Sequence, residues 1–202
     1  MRPAPLTHAS IRDLPDCCSD CVFWQTLRGG RDEAERNRWA SATERSFGPW
    51  GRILVDDSGV HGVLQYGPSA AFPRARVLPA GPASRDAVLV TCAYICEGDA
   101  AGGIERLLLE ALADIKARGM AAIEIFAMRY PDEVTREERA TLNHTLFDLA
   151  MLERLGFRPV RSRGQVSLMR LELGGLVPGM LERARVALGE LRPLPAQAPL
   201  PA

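Results

Sequence analysis

The stretch that decides the fold is Ala87-Val-Leu-Val-Thr-Cys-Ala-Tyr-Ile95, followed by the glycines Gly98, Gly102 and Gly103 and then Ile104-Glu-Arg-Leu-Leu-Leu-Glu-Ala-Leu112. The first run is nearly all apolar and β-branched, the pattern of a strand buried on both faces. Past the glycines the period changes. Ile104, Leu107, Leu108, Ala111, Leu112 and Ile115 lie on one face of a helix spanning 102–118, with Gly119 as its C-cap. Ala122 to Met128 reads as the next strand, so 87–128 is a strand–helix–strand unit. A strand, a glycine turn and a helix N-terminus together present unpaired N–H groups and a positive dipole end to one spot. A phosphate-bearing ligand is the natural occupant; the plainer account is that any strand–helix connection needs glycines.

Outward from this unit, Arg31 to Phe47 reads as a helix with Trp39, Ala42, Thr43 and Phe47 on one face, ended by Gly48-Pro49. The runs 52–57 and 60–66 form a hairpin about Asp57-Ser58-Gly59. A proline-rich connection covers 68–82. On the other side, 136–155 reads as one long helix with Leu142, Leu146, Leu149 and Leu152 as its stripe and Gly156 closing it. Residues 165–173 read as a strand, and Arg158, Arg161 and Arg163 as a solvated strand edge. A further helix is expected over 177–191. The order of elements predicts an α/β protein: one domain over 1–192, a mixed, mostly antiparallel sheet flanked by helices, and a proline-rich tail over 193–202 that is disordered or lies along the surface.

Composition narrows the function. The 202 residues carry 25 Lys plus Arg against 25 Asp plus Glu, so no net field draws the chain to nucleic acid or an anionic membrane. Residues 1–10 lack the apolar run of a signal peptide, and no run of about 18 apolar residues occurs. The expected setting is cytoplasmic, with five reduced cysteines. Cys18-x-x-Cys21 has metal-ligand spacing, but Cys92 and Cys96 sit on a strand about 13 Å apart, too far to share one zinc. Cys17, Cys18 and Cys21 then lack a fourth ligand, and no metal site is expected.

Several segments resemble the GNAT N-acetyltransferase superfamily. In that family a strand leads through Arg/Gln-x-x-Gly-x-Gly/Ala into a helix beginning with Ile or Leu, as 95–104 does here. Leu152-Glu-Arg-Leu-Gly-Phe157 is similar to the family's Tyr-Glu-Lys-Leu-Gly-Phe, and Asp16 to Trp24 and Asp86 to Val90 resemble a set of its actinobacterial members. Together these cover roughly 16–175. The resemblance implies a GNAT-like domain whose strand carrying Ala93 to Ile95 splays from the strand 122–128. It implies that the pantetheine of acetyl-CoA runs in the gap and the pyrophosphate rests on the glycine turn. It assigns cofactor contacts to Ala93, Tyr94, Ile95, Gly98, Ala100, Ala101, Gly102, Gly103, Ile104, Glu105 and Arg106. It implies direct attack by an amine of a small molecule or protein, with no covalent enzyme intermediate, and admits a homodimer.

The departures are specific. With Gly103 aligned to the central glycine, Ala100 replaces the family's Arg or Gln. Glu105 stands where Gly or Ala is usual, and its carboxylate would repel a pyrophosphate unless Arg106 compensates. A lost charged hydrogen bond forfeits about 1.5–3 kcal/mol, tenfold to hundredfold in affinity. Leu152 replaces the Tyr that reprotonates the leaving thiolate. Candidates for proton transfer are therefore Glu124, a carboxylate within an apolar strand whose burial would favour its neutral form, together with Tyr94 and His144. Each has a plain alternative: a partnered carboxylate, a packed aromatic, a surface histidine. Trp24, Trp50 and Tyr66 are candidates for an acceptor pocket or for core. The rival to an enzyme is a non-catalytic domain of the same fold, binding acyl-CoA or nothing at that site.

Overall fold

The computed structural model describes residues 1–174; the expected helix over 177–191 and the tail over 193–202 lie outside the described residues. The chain runs β1 (Arg2–Pro5), α1 (Asp16–Ser19), α2 (Glu33–Phe47), β2 (Gly51–Asp56), β3 (Gly59–Pro68), β4 (Ala87–Ile95), α3 (Ala100–Ala117), β5 (Ala122–Met128), α4 (Arg136–Leu142), β6 (Phe147–Asp148), α5 (Leu149–Arg154), β7 (Arg158–Arg163) and β8 (Val166–Glu172). The strands form one sheet in the order β1-β2-β3-β4-β5-β8-β7, with β6 alongside β5. Pairing is antiparallel except at β4–β5 and β5–β6.

The sheet separates two apolar layers. On one face Leu64, Tyr66, Val88, Val90, Ile123 and Ile125 pack under Leu107, Leu108, Leu112 and Ile115 of α3. On the other, Val63, Leu89, Phe126 and Leu168 pack against Trp24, Trp39, Trp50 and Phe72. Alternation along β4 and β5 feeds both layers, which is why these strands read as continuously apolar. Asp32 caps α2 by accepting from the Glu35 N–H at 2.9 Å. Its buried face is Arg36, Trp39, Ala40 and Thr43, so Ala40 replaces the expected Ala42, which is exposed.

Two features of β4 shape the site. Gln65 pairs with Cys92 and Tyr66 with Val90, leaving Thr91 as an extra residue in a β-bulge. The parallel pairing of β4 with β5 covers Ala87 to Val90 only; beyond it the two strands part, as expected.

The long helix expected over 136–155 is absent. Its first part is α4, its last part α5, and between them the chain turns and adds Phe147–Asp148 to β5. The cause is local. The Asn143 Oδ1 accepts from the Thr145 N–H at 3.1 Å and its hydroxyl at 2.7 Å, an Asx turn that competes with the helix. The Asp148 carboxylate then caps α5 at the Ala150 N–H. Of the leucine stripe, Leu149 and Leu152 are buried while Leu142 is 63% exposed. No described helix is long and apolar enough to cross a membrane.

Candidate functional site

The site lies where β4 leaves β5 beside the N-terminus of α3. Gly98, at φ +87°, makes the turn out of β4. Asp99 then caps α3, accepting from the Gly102 N–H at 2.8 Å. Gly103 permits close packing: a Cβ there would lie 2.7 Å from the Ile95 Cδ1. Glycine at this point therefore has a packing reason of its own, whatever the helix end binds.

A helix start leaves four N–H groups without intrahelical partners. In α3 the three that follow the cap residue are taken, and Gly103 begins the helical ladder. The Glu137 carboxylate of α4 accepts from the Ala100 N–H at 2.7 Å and the Ala101 N–H at 3.2 Å. The Asp99 side chain takes Gly102, and the Asp99 carbonyl takes Gly103 at 2.9 Å. The diverging strands are filled likewise. The Ala93 N–H donates to the His144 carbonyl at 3.1 Å, and Phe147–Asp148 pair with the end of β5.

What remains between Ala93, Ala101, Ile104, Arg139, His144 and Met151 is a cavity of about 20 Å³, room for about one water. The donors of the groove fit a diphosphate and an amide in kind. In this conformation they are already used, so the groove as it stands does not accommodate coenzyme A.

The candidate residues divide accordingly. Tyr94 and His144 are brought together, their rings edge to face with centroids 4.9 Å apart. The Tyr94 hydroxyl is pushed above its usual range, first by the neighbouring Cys17 sulfur and then by burial, while partial enclosure lowers the His144 imidazole. Tyr94 thus keeps its proton at neutral pH, and His144 is neutral and able to accept one.

Glu124 is elsewhere. It is fully buried, accepts from the Ser84 N–H at 2.7 Å and pairs with the Arg170 guanidinium at 3.2 Å. Its β4 neighbour is Leu89, four strand residues or roughly 13 Å from Ala93. It is a partnered structural carboxylate. Trp24, Trp50 and Tyr66 are all buried core; Tyr66 donates to the Asp114 carboxylate at 2.6 Å beneath α3. Leu152 is also in the core.

Glu105 is half-buried and turned to two arginines. Its carboxylate pairs with Arg136 at 3.0 Å and Arg154 at 3.1 Å, while Arg106 donates to the Met1 carbonyl and faces away. The residues that sequence reasoning missed are Arg136, Glu137 and Arg154. Each acts on a residue 31 to 49 positions away, and no short-range spacing marks such a contact. The one local signal was Thr135-x-x-Glu138, whose reciprocal capping box starts α4 inside the supposed long helix. Among the described residues, no group of three or more His, Cys, Asp or Glu is arranged to hold a metal ion.

No family model matches the sequence, and no curated protein matches it. Solved structures do resemble it. An N-acetyltransferase from Staphylococcus aureus Mu50 aligns at a TM-score of 0.54 and 13% identity, covering 85% of this chain and 98% of that one. The ribosomal-protein-S18-alanine N-acetyltransferase of Escherichia coli aligns at 0.52 and 10% identity, covering 88% and 96%. A ribosomal-protein-alanine N-acetyltransferase from Brucella melitensis aligns at 0.51 and 14% identity, covering 85% and 98%. The fold is that of the GNAT N-acetyltransferases.

Proposed function

We propose that this chain is an N-acyltransferase that moves an acetyl group from acetyl-CoA to an amine on a small molecule or protein. The observation that carries the reading is the parting of β4 from β5 after Val90, beside the N-terminus of an 18-residue helix. That arrangement sets strand amides and helix amides around one groove, where a thioester carbonyl and a diphosphate can both be bound. We assign the proton given to the leaving thiolate to Tyr94, which keeps its proton at neutral pH and stands on β4 where the strands part. All five cysteines are free thiols, in keeping with a cytoplasmic setting.

A second reading, a non-catalytic domain of the same fold, is favoured by the groove amides having internal partners. Melting in the presence of coenzyme A separates the two. Ligand at about 100 times Kd adds roughly 2.7 kcal/mol, or a rise of about 5–10 °C for a chain of this size. The enzyme reading also expects free thiol to appear when acetyl-CoA and a panel of amines are supplied. It is abandoned if neither stabilisation nor thiol release is seen, both for the intact chain and for a variant in which residues 136–144 are replaced by a glycine–serine linker.

A further inference from the structure

The partners that occupy the groove come from one short stretch of chain, and their chemistry is that of a ligand. A carboxylate spreads its two oxygens over two successive N–H groups at the positive end of α3, as a phosphate would. Seven residues before Ala100, at β4, a peptide carbonyl accepts from the Ala93 N–H where the strands part. Between these two contacts the cavity holds about one water.

The stretch is held mainly by polar contacts, with Ala140 and Leu146 partly buried against the two core layers. α4 buries none of its side chains fully, and Leu142 at its end is 63% exposed. At seven residues it is too short to be stable alone. Its polar ties to the rest of the domain are the Glu137 carboxylate on α3, the His144 carbonyl on β4, the Arg136–Glu105 pair at 3.0 Å and a longer Arg139–Asp148 pair at 3.8 Å, and the His144 ring meets that of Tyr94. Glu137 is itself solvent-exposed. Removing the stretch exposes little apolar surface, so opening lies at the low end of the local unfolding scale.

We propose that residues 135–146 form a displaceable internal plug, in which Glu137 and the His144 carbonyl occupy the places of the phosphate and amide groups of a coenzyme A-type ligand. This inference rests on the acyltransferase reading above. It adds that ligand and plug compete, so that binding is weakened by the plug and accompanied by its release. Glu137 is the competing residue, and Glu105 the anchor that returns α4 to α3 through Arg136.

The test is coenzyme A binding by titration calorimetry to the intact chain, to Glu137→Ala and to the variant with residues 136–144 replaced by a glycine–serine linker. Hydrogen exchange is followed on each with and without ligand, and circular dichroism confirms that each is folded. Glu137→Ala removes a charge-assisted contact and should tighten binding about tenfold or more, with the linker variant at least as tight. On binding to the intact chain, exchange over 135–146 should rise while the amides of 93 and 100–103 become protected. A chain that binds only once the plug is removed supports the proposal equally. Should coenzyme A bind the intact chain with exchange over 135–146 unchanged, and Glu137→Ala bind no tighter, the plug is refuted and the acyltransferase reading stands. Failure of all three proteins to bind refutes both.

Discussion

Replacing Glu105 by Gln probes the anchor directly, and its size follows from geometry. Two guanidinium groups lie 3.0 and 3.1 Å from a carboxylate that is 14% exposed. At an effective dielectric of about 20, a pair of unit charges at such range attracts by roughly 5–6 kcal/mol. Arg136 and Arg154 are themselves 52% and 55% exposed, however, and water and side-chain entropy reduce such pairs to about 0.2–1 kcal/mol each. Exposure decides the matter, and the anchor comes to about 1 kcal/mol in total. Glu105→Gln, which keeps the helix propensity, should lower the melting temperature by about 2–4 °C at low salt. The difference should largely vanish at about 1 M salt, where the Debye length is about 3 Å. The same change should improve coenzyme A affinity about fivefold. Direct repulsion between Glu105 and a pyrophosphate predicts that gain too, so Arg136→Ala is the discriminating variant. Loosening α4 by removing Arg136 should also improve affinity. If Arg136→Ala instead weakens binding while Glu105→Gln strengthens it, Arg136 serves the ligand and the anchor argument is wrong.

Two further outcomes test the framework around the site. Arg36 is a buried cation with no carboxylate partner among the described residues; it donates to the Gln65 Oε1 and lies over the Trp39 and Trp50 rings at 5.1 and 4.7 Å. Gln65 also accepts from Gln25 at 3.0 Å and donates to Thr91 at 2.8 Å, so Gln65→Leu strands three buried groups at once and should cost about 3–5 kcal/mol; chemical denaturation showing a loss under about 1 kcal/mol would contradict this. Gly103→Ala should cost about 1–3 kcal/mol by overpacking Ile95, and Ile95→Val, which removes the offending Cδ1, should recover much of that loss in a double-mutant cycle; additive effects would mean the two sites do not touch.

The parts of this molecule that were legible in sequence are those whose cause is local. β4 and β5 were readable because strands buried on both faces need apolar residues at every position, and α3 because its buried face repeats at helical spacing. The glycine turn was readable for the same reason: Gly98 and Gly103 answer to a backbone angle and a contact within ten residues. The break at Asn143 was not, because the leucines at 142, 146, 149 and 152 satisfy a helical stripe that the chain does not use. An Asx turn of about one hydrogen bond's strength decides against that stripe only when Phe147 and Asp148 also gain a place beside β5. Glu105 shows the same limit from the other side. As a residue in a motif it reads as an obstacle to an anionic ligand; in the fold it is the acceptor for two arginines from α4 and α5. Once α4 is seen as a separate, weakly held piece, the departures at Ala100, Glu105 and Leu152 cease to be independent defects. Ala100 presents only its N–H, which Glu137 takes; Glu105 holds the helix that carries Glu137; and Leu152 packs the short helix that remains after the break. The pattern is that of a groove shaped around its own chain.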